Sequence, residues 1–205
     1  KLAPMSFKGK TVLDVCSAPG GKSFQLVDKG AILTSIDKSE KRLKLMRESS
    51  NRLNYDFNLI NMDVFDYQPK RKFDIILLDP PCTATGTIGK NPDLQFLDPL
   101  KKLDELIEIQ QKMLEKCCGW LTDNGFIIYS VCSLLKEEGE SQISKFLRNN
   151  KSFNAVHPKK KDLYNKEGLE FQKESGIRIM PFFEGKVGGT EGFYIAYLQA
   201  KGKSN

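Results

Sequence analysis

The chain has 205 residues, 40% of them hydrophobic and 28% charged, with a formal net charge of +6. This length fits one medium-sized domain with a core of its own, and charges interrupt every apolar run before it reaches the length of a membrane span. The N-terminus shows no secretory signal, so we expect a cytoplasmic protein without a membrane segment. The modest basic excess fits plain solubility or a polyanionic partner, because Lys and Arg release counterions when they neutralise phosphates.

Short apolar, β-rich runs alternate with helical patterns along the chain. The runs predict strands over residues 11–16, 31–36, 57–62, 73–78, 126–131, 153–156, 176–182 and 193–198. Helical spacing predicts a helix that begins near Ser23 and further helices over residues 40–53, 103–118 and 136–148. This alternation implies an α/β fold with a mainly parallel sheet and helices on both faces. No repeat or linker divides the sequence, so we expect a single domain over residues 1–205.

Two irregular segments interrupt this alternation. Residues 80–99 are rich in proline and glycine, and loops of this length inside a compact domain are usually functional. Residues 159–172 are polar and weakly patterned, which predicts a surface loop. The lysine run 159–161 in that segment fits either a solvated loop or RNA contact.

A Gly-Gly turn links the first predicted strand to the first helix in the segment DVCSAPGGK, residues 14–22. In open α/β sheets ligands bind at the carboxyl ends of the strands, and Gly20 and Gly21 let the backbone approach a ligand closely. Asp37 ends the second strand, where an acidic residue can bind ribose hydroxyls. Asp63 ends the third strand, in a position to border an adenine. An ordinary tight turn is the alternative, but the three features in order at successive strand ends favour a nucleoside-containing cofactor.

Other cofactor and metal motifs are absent from the sequence. It contains neither the G-x-G-x-x-G pattern of nicotinamide dinucleotide sites nor the complete phosphate-binding pattern G-x-x-x-x-G-K-[ST]. Its five cysteines include no Cys-x-x-Cys pair, and His157 is the single histidine. We therefore predict no metal site. Core packing is the favoured interpretation for Cys117 and Cys118, which lie inside a helical pattern.

Two cysteines directly follow apolar strands at the edge of the sheet where ligands collect. Cys82 closes the motif Asp79-Pro80-Pro81-Cys82 after the fourth strand, and Cys132 lies in YSVCS at the end of the fifth. A buried cysteine is otherwise most often a small hydrophobic residue. Their position beside the cofactor loop favours chemistry instead.

Together these motifs resemble the Sun-domain RNA cytosine-5 methyltransferases, in particular the bacterial type that acts on small-subunit ribosomal RNA. The resemblance covers about residues 12–147 and resumes at residues 192–194. It is carried by DVCSAPGGK, by DPPCTATG followed by NPDL, by YSVCSL with two glutamates after it, and by EGFYIAYL. Departures are mild: Ser17 and Val131 stand where the family more often has Ala and Thr, and Asn91 where it often has His.

The resemblance implies a class I, Rossmann-like methyltransferase fold, a doubly wound α/β sheet of seven strands with the last strand antiparallel. It implies S-adenosylmethionine as cofactor. The expected cofactor-binding residues are Cys16, Ser17, Ala18, Pro19, Gly20, Gly21, Lys22, Asp37, Arg42, Asp63 and Asp79. For Arg42 a solvated helix face is an equal alternative, and for residues 91–93 a place in the active site and a plain loop are equally favoured.

The resemblance also implies a catalytic mechanism. Cys132 matches the family's nucleophile, which adds to carbon 6 of cytosine and makes carbon 5 nucleophilic. Asp79 matches an aspartate that hydrogen-bonds ring N3 and the amino group, and Lys22 matches a lysine beside it. Cys82 matches a second cysteine, assigned to product release. The target base must be unstacked to reach these groups.

The resemblance also implies a partner, which is RNA with an unstacked target cytosine, and ribosomal RNA is favoured. We expect the protein to be a monomer. Members of the bacterial type carry a further N-terminal RNA-binding region. The chain opens with Lys1 rather than Met, and we expect it to be the catalytic domain without that region.

Three other functions fit parts of the sequence. DPPC resembles the DPPY loop of amino-group methyltransferases, which need no thiol. The Pro-Cys pair at residues 81–82 resembles the nucleophile motif of cytosine-5 DNA methyltransferases. A non-enzymatic RNA-binding assembly factor on the same fold would bind RNA and transfer no methyl group.

Overall fold

The computed structural model describes residues 5–158, 169–172, 176–181 and 191–202. Four helices lie in these ranges: α1 (Gly21–Asp28), α2 (Glu40–Leu53), α3 (Leu103–Cys118) and α4 (Glu140–Asn149). The strands are β1 (Thr11–Val15), β2 (Ile32–Asp37), β3 (Asn58–Asn61), β4 (Phe73–Leu78), β5 (Leu121–Val131), β6 (Phe153–Val156), β7 (Leu169–Gln172), β8 (Gly176–Ile179) and β9 (Phe193–Ala200). Three short 3-10 helices lie between β4 and α3, at Thr85–Thr87, Pro92–Phe96 and Pro99–Lys102.

The strands form one mixed sheet in the order β3-β2-β1-β4-β5-β9-β8-β7. The first five are parallel to one another, and β9 runs antiparallel to β5. The chain moves outward from β1 to β3 and then returns to β4 on the other side of β1. The switch point of the sheet therefore lies between the carboxyl ends of β1 and β4, which is where doubly wound folds bind ligands.

The predicted doubly wound class and the antiparallel last strand are confirmed. Among the described residues, β6 and β8 pair with successive parts of the same edge of β9, as the registers Val156 to Tyr197 and Ile177 to Ile195 show. The two short strands therefore share the seventh position of the sheet. Strand β7 adds a further position by pairing with β8.

Strand β4 shows why both faces of the sheet are covered. Its sequence FDIILL alternates between the two sides, as every strand does. Ile75 and Leu77 belong to one buried cluster with Leu26 of α1. Ile76 and Leu78 belong to the cluster on the opposite face, which contains residues of α3 and α4. A continuous apolar run is what a strand buried on both faces requires.

Three predicted boundaries differ from the structure. The helix predicted from residue 136 begins at Glu140, because the preceding turn directs the fully buried Glu138 inward. The strand predicted from residue 126 begins at Leu121, and β5 includes Asn124, which adopts a left-handed φ of 64° that asparagine tolerates. Residues 169–172 of the predicted surface loop form β7, and residues 159–168 lie outside the described residues.

No helix in the described part of the chain is long and apolar enough to cross a membrane. The same residues contain no group of three or more His, Cys, Asp or Glu side chains placed to hold a metal ion.

Candidate active site

The loop between β1 and α1 requires glycine at one position. Gly20 has a φ of 104°, in the left-handed region, and precedes α1. A Cβ atom on Gly20 would lie 2.8 Å from the Phe24 ring and 2.9 Å from the Met46 side chain. No side chain caps α1, so the first-turn amides remain available to an anionic group.

Asp37 holds this loop against the end of β2. Its side chain is only 4% exposed, and its carboxylate accepts hydrogen bonds from Ala18 N at 3.0 Å and Ser39 N at 2.9 Å. Arg42 Nη1 lies 3.7 Å from Asp37 Oδ2. A carboxylate has about four acceptor positions, so Asp37 retains capacity for a ligand's hydroxyl groups.

A cleft of about 500 Å³ lies along the carboxyl ends of β1 to β5, and we call it the active-site cleft. It contains seven of the residues that the sequence predicts: Cys16, Asp37, Arg42, Asp63, Asp79, Cys82 and Cys132. Residues 17–22 and residues 91–93 do not line it. Instead, Asn91 Nδ2 donates to Thr87 Oγ1 at 3.1 Å. The lysine run 159–161 lies outside the described residues.

The cleft also has an apolar lining that the sequence analysis did not assign to the site. Met62 and Phe65 flank Asp63 after β3, and Ile109 and Met113 come from α3. The helical spacing of the α3 pair indicates a buried face, but not that this face borders a ligand. Such a lining is typical of sites that hold a flat apolar ring beside a few polar groups.

The two thiols predicted to act in chemistry are adjacent. Cys82 Sγ and Cys132 Sγ are 3.4 Å apart, at the ends of neighbouring parallel strands. A hydrogen bond from the Cys82 thiol, helped by the nearby Lys22, lowers the pKa of Cys132 below its usual value, although burial and Asp79 oppose the shift. The same hydrogen bond, together with burial, raises the pKa of Cys82 far above its usual value. Of the two sulfur atoms, Cys132 is therefore the one that ionises more readily.

Lys22 and Asp79 form an ion pair beside the thiols. Lys22 Nζ lies 2.6 Å from Asp79 Oδ2, and both side chains are partly exposed. The ammonium group also lies 5.6 Å from the centre of the Phe193 ring. The first turn of α1 and the end of β4 are thus connected across the switch point by an ion pair.

A buried polar cluster connects the two cysteine loops, and the sequence analysis did not predict it. The carboxylate of Glu138 accepts hydrogen bonds from Thr83 N at 3.0 Å and from Gln110 Nε2 at 2.9 Å. Thr83 directly follows Cys82, and its hydroxyl group also donates to Glu138. Ser133, directly after Cys132, lies 3.1 Å from the same hydroxyl group. The cluster therefore fixes the two sulfur atoms relative to each other.

A close backbone contact provides a second connection. Gly86 N donates to Cys132 O at 3.0 Å, and Gly192 N donates to Gly86 O at 2.8 Å. A Cβ atom on Gly86 would lie 2.0 Å from Gly192 O. Only glycine therefore fits at residue 86.

Arg178 of β8 supports the loop after Cys132. Its guanidinium group is buried, forms an ion pair with Glu140, and donates to Ser133 O at 3.1 Å. The sequence gives no indication of this role, because Arg178 is 45 residues from Ser133 along the chain.

A doubly wound sheet with a glycine turn and a buried aspartate at its switch point defines a Rossmann-like fold with a nucleotide-type ligand site, and two thiols beside an ion pair lie at the same edge of the sheet. A family model described as 16S rRNA methyltransferase RsmB/F matches residues 2–199, and the chain belongs to this family.

Three relatives illustrate the similarity. Ribosomal RNA small subunit methyltransferase B of Shewanella oneidensis is 37% identical over 151 residues, 71% of this chain and 35% of that protein. The probable ribosomal RNA small subunit methyltransferase B of Bacillus subtilis is 30% identical over 94% of this chain and 44% of its own length. The crystal structure of NSun6 from Pyrococcus horikoshii with SFG has a TM-score of 0.75 at 29% identity, covering 94% of this chain and 48% of that one. The chain thus spans less than half the length of these relatives.

Proposed function

We propose that this chain is a catalytic domain that transfers a methyl group from S-adenosylmethionine to carbon 5 of a cytosine in RNA, with Cys132 as the nucleophile. The observation that carries the proposal is the pair of thiols 3.4 Å apart at the carboxyl ends of β4 and β5, with the Cys132 pKa lowered by the Cys82 thiol. An amino-group methyltransferase needs no thiol. If Cys82 were the nucleophile, as in the DNA-type mechanism, the pKa of Cys82 rather than that of Cys132 would have to be lowered.

The active-site cleft fits the cofactor. Its volume of about 500 Å³ suits a nucleoside with an amino-acid tail, and the solved relative contains the S-adenosylmethionine analogue SFG. When bound, S-adenosylmethionine supplies an electrophilic methyl group. Asp37 would accept the ribose hydroxyls, Met62 and Phe65 would contact the adenine, and the glycine turn at Gly20 would admit the tail.

The chain's own groups can carry the remaining steps. Carbon 5 of cytosine becomes nucleophilic when the Cys132 thiolate forms a bond to carbon 6, which places electrons on carbon 5. Asp79, held by Lys22, lies in the same cleft, where its carboxylate can accept a hydrogen bond from the amino group and from ring N3 once that nitrogen has taken a proton from solvent. After transfer, a base takes the proton from carbon 5, the electrons of that C–H bond restore the double bond between carbons 5 and 6, and the bond from carbon 6 to Cys132 breaks, which returns Cys132 as a thiolate. We assign Cys82 to this release because its sulfur lies beside that bond.

Small-subunit ribosomal RNA is the proposed substrate. The support is the family itself and the names of the relatives in Shewanella and Bacillus. A net charge of +6 is compatible with a polyanionic partner. An enzyme with this substrate would act where ribosomes assemble, and we propose the cytoplasm.

The proposal is tested by nucleoside mass spectrometry. Ribosomal RNA is incubated with the protein and S-adenosylmethionine that carries a labelled methyl group, and the RNA is then digested to nucleosides. We expect the label in 5-methylcytidine. Label on the exocyclic amino group of cytidine, or no label in any nucleoside, would overturn the proposal.

A further inference from the structure

A second cleft, of about 680 Å³, shares only Cys82 with the active-site cleft. We call it the flanking groove. The lining residues that bear on ligand binding are Cys82, Phe96, Leu97, Asp98, Lys101 and Lys102. The groove leads from the thiol pair along the 3-10 helices between β4 and α3, so it is continuous with the proposed site of chemistry.

Phe96 is the most exposed large hydrophobic side chain in the described part of the chain, at 82%. Its neighbour Leu97 is 62% exposed. Burying such a ring is favourable in water, and a soluble protein that presents one beside a catalytic group usually uses it for binding. The flanking groove therefore presents an exposed aromatic face.

The backbone that presents Phe96 is held in place by short-range hydrogen bonds. Asn91 N donates to Thr87 O at 2.8 Å, and Asn91 Nδ2 donates to Thr87 Oγ1 at 3.1 Å. At the other end of the turn, Leu97 N donates to Leu94 O at 3.2 Å. The ring thus extends from an ordered turn, so binding against it costs little conformational entropy.

The charges of the two clefts differ in sign. The flanking groove contains Lys101 and Lys102, both exposed, while its single acid, Asp98, accepts a hydrogen bond from Leu100 N at 3.0 Å. The active-site cleft, by contrast, contains three acids at strand ends, Asp37, Asp63 and Asp79, and two basic residues, Lys38 and Arg42. Lining charge therefore favours a polyanionic chain in the flanking groove over the cofactor side.

We propose that the flanking groove binds the single-stranded RNA next to the target cytosine, with the neighbouring base stacked on Phe96 and the backbone phosphates near Lys101 and Lys102. An exposed aromatic ring combined with lysines is the usual arrangement for binding single strands. The groove also reaches Cys82 from the side that the cofactor does not fill. This inference rests on the proposed function and identifies where its substrate lies.

The test measures the affinity for a short single-stranded RNA that carries one cytosine, by fluorescence anisotropy. Stacking of one base on an aromatic side chain contributes about 5- to 150-fold in affinity, so Phe96→Ala should lose a factor in this range and Phe96→Trp should not. The control is Leu45→Ala, whose side chain on α2 is 52% exposed and lines neither cleft. Calorimetry should show unchanged S-adenosylmethionine affinity in Phe96→Ala, which would exclude a folding defect.

An RNA that lacks the base beside the cytosine makes the test specific. When the base is removed from one of the two sides of the cytosine, the abasic RNA should bind the native protein as weakly as intact RNA binds Phe96→Ala. The same abasic RNA should bind Phe96→Ala no more weakly than intact RNA does. If removal of the base weakens RNA binding equally in the native protein and in Phe96→Ala, the inference is overturned. A change in sedimentation of Phe96→Ala with unchanged RNA affinity would also overturn it, because the ring would then belong to a protein interface.

The lysines are tested through salt. Neutralising one phosphate of a single strand contributes about 0.7 to the slope of log affinity against log salt. Lys101→Ala and Lys102→Ala should each reduce this slope, whereas Lys44→Ala, exposed on α2, should not. Equal slopes in all three variants would overturn the inference. If RNA binds in this way but no methyl group is transferred, the inference about the groove is supported and the proposed function fails. If a methyl group is transferred but the groove variants bind RNA like the native protein, only the inference about the groove is refuted.

Discussion

The polarised thiol pair is the central feature at the scale of single residues. A thiolate reacts faster than a thiol, and of the two sulfur atoms that share a hydrogen bond, Cys132 has the lowered pKa and Cys82 the raised pKa. The two cysteines have similar sequence contexts, each following an apolar strand. Their pKa shifts, which are opposite in direction, distinguish them physically.

The role of the Cys82 thiol can be measured through the reactivity of Cys132. Cys82→Ala removes the donor and should raise the pKa of Cys132, so its alkylation by iodoacetamide should begin at higher pH. Cys82→Ser retains a hydroxyl donor and should change the pH profile less. Mass spectrometry of the peptide that contains Cys132 gives the profile. Identical profiles for the native protein and Cys82→Ala would contradict the assignment.

Asp37 should control cofactor affinity. Asp37→Ala removes a charged acceptor, a loss of about 1.5–3 kcal/mol, and should weaken S-adenosylmethionine binding about ten- to hundredfold. Asp37→Asn retains one acceptor for Ala18 N and should lose less, and Asp66→Ala, an exposed control, should lose nothing. Calorimetry measures all three. Unchanged affinity in a folded Asp37→Ala would remove Asp37 from the cofactor site.

Asp14 should make stability depend on pH. Burial raises its pKa from 3.8 to about 7, although Ser23 donates to the carboxylate and opposes the shift. The folded state then holds a proton that the unfolded state releases. The contribution of Asp14 is therefore fully present below pH 3.8 and is lost as the pH rises to about 7.

Asp14→Asn removes this titration. The difference in free energy of unfolding between the variant and the native protein should shift in favour of the variant by up to about 4 kcal/mol between pH 4 and pH 8. Urea unfolding at the two pH values gives this difference. A difference that does not change with pH would show that Asp14 does not titrate in this range.

At the scale of elements, Glu138 connects the loops after β4 and β5. Glu138→Gln keeps the shape but removes the charge that accepts from Thr83 and Gln110, and should cost about 1–3 kcal/mol of stability. If Glu138 positions the sulfur atoms, this variant should also lower kcat and raise the Cys132 pKa, with cofactor affinity unchanged. Glu137→Gln, the exposed neighbour, is the matched control. Loss of stability alone would restrict Glu138 to a structural role.

The elements that sequence patterns predicted best are those with long, regular periodicity. Helix α3 has the predicted bounds, because sixteen residues of amphipathic spacing outweigh local exceptions. Helix α4 begins later because Glu138 has partners 55 and 28 residues away along the chain. The four residues of β7 are too few for their alternation to be distinguished from a loop.

The site was predicted to the extent that its residues lie in continuous motifs. Asp37, Asp63, Asp79 and the two reactive cysteines all line the active-site cleft. Glu138 and Arg178 were not predicted because their functions depend on contacts between distant segments. A charged residue in a sequence usually indicates a solvated surface, and only the fold shows that these two are buried.

At the scale of the whole molecule, the switch point of the sheet brings the parts of the site together. The cofactor loop follows β1, the aspartates follow β2, β3 and β4, and the thiols follow β4 and β5. Because these strands are parallel, their carboxyl ends share one edge. The fold therefore places the active-site cleft and the flanking groove on the two sides of Cys82, where we propose that the cofactor and the RNA bind.

The most direct test of this arrangement is a denaturing gel of protein incubated with labelled RNA and S-adenosylmethionine. Cys82→Ser should still attack carbon 6 and transfer the methyl group but should stall at release, leaving a denaturant-resistant adduct through Cys132. Cys132→Ser should give neither adduct nor methylation, because a serine hydroxyl is a far weaker nucleophile at neutral pH. An adduct that persists in Cys132→Ser and disappears in Cys82→Ser would contradict the account.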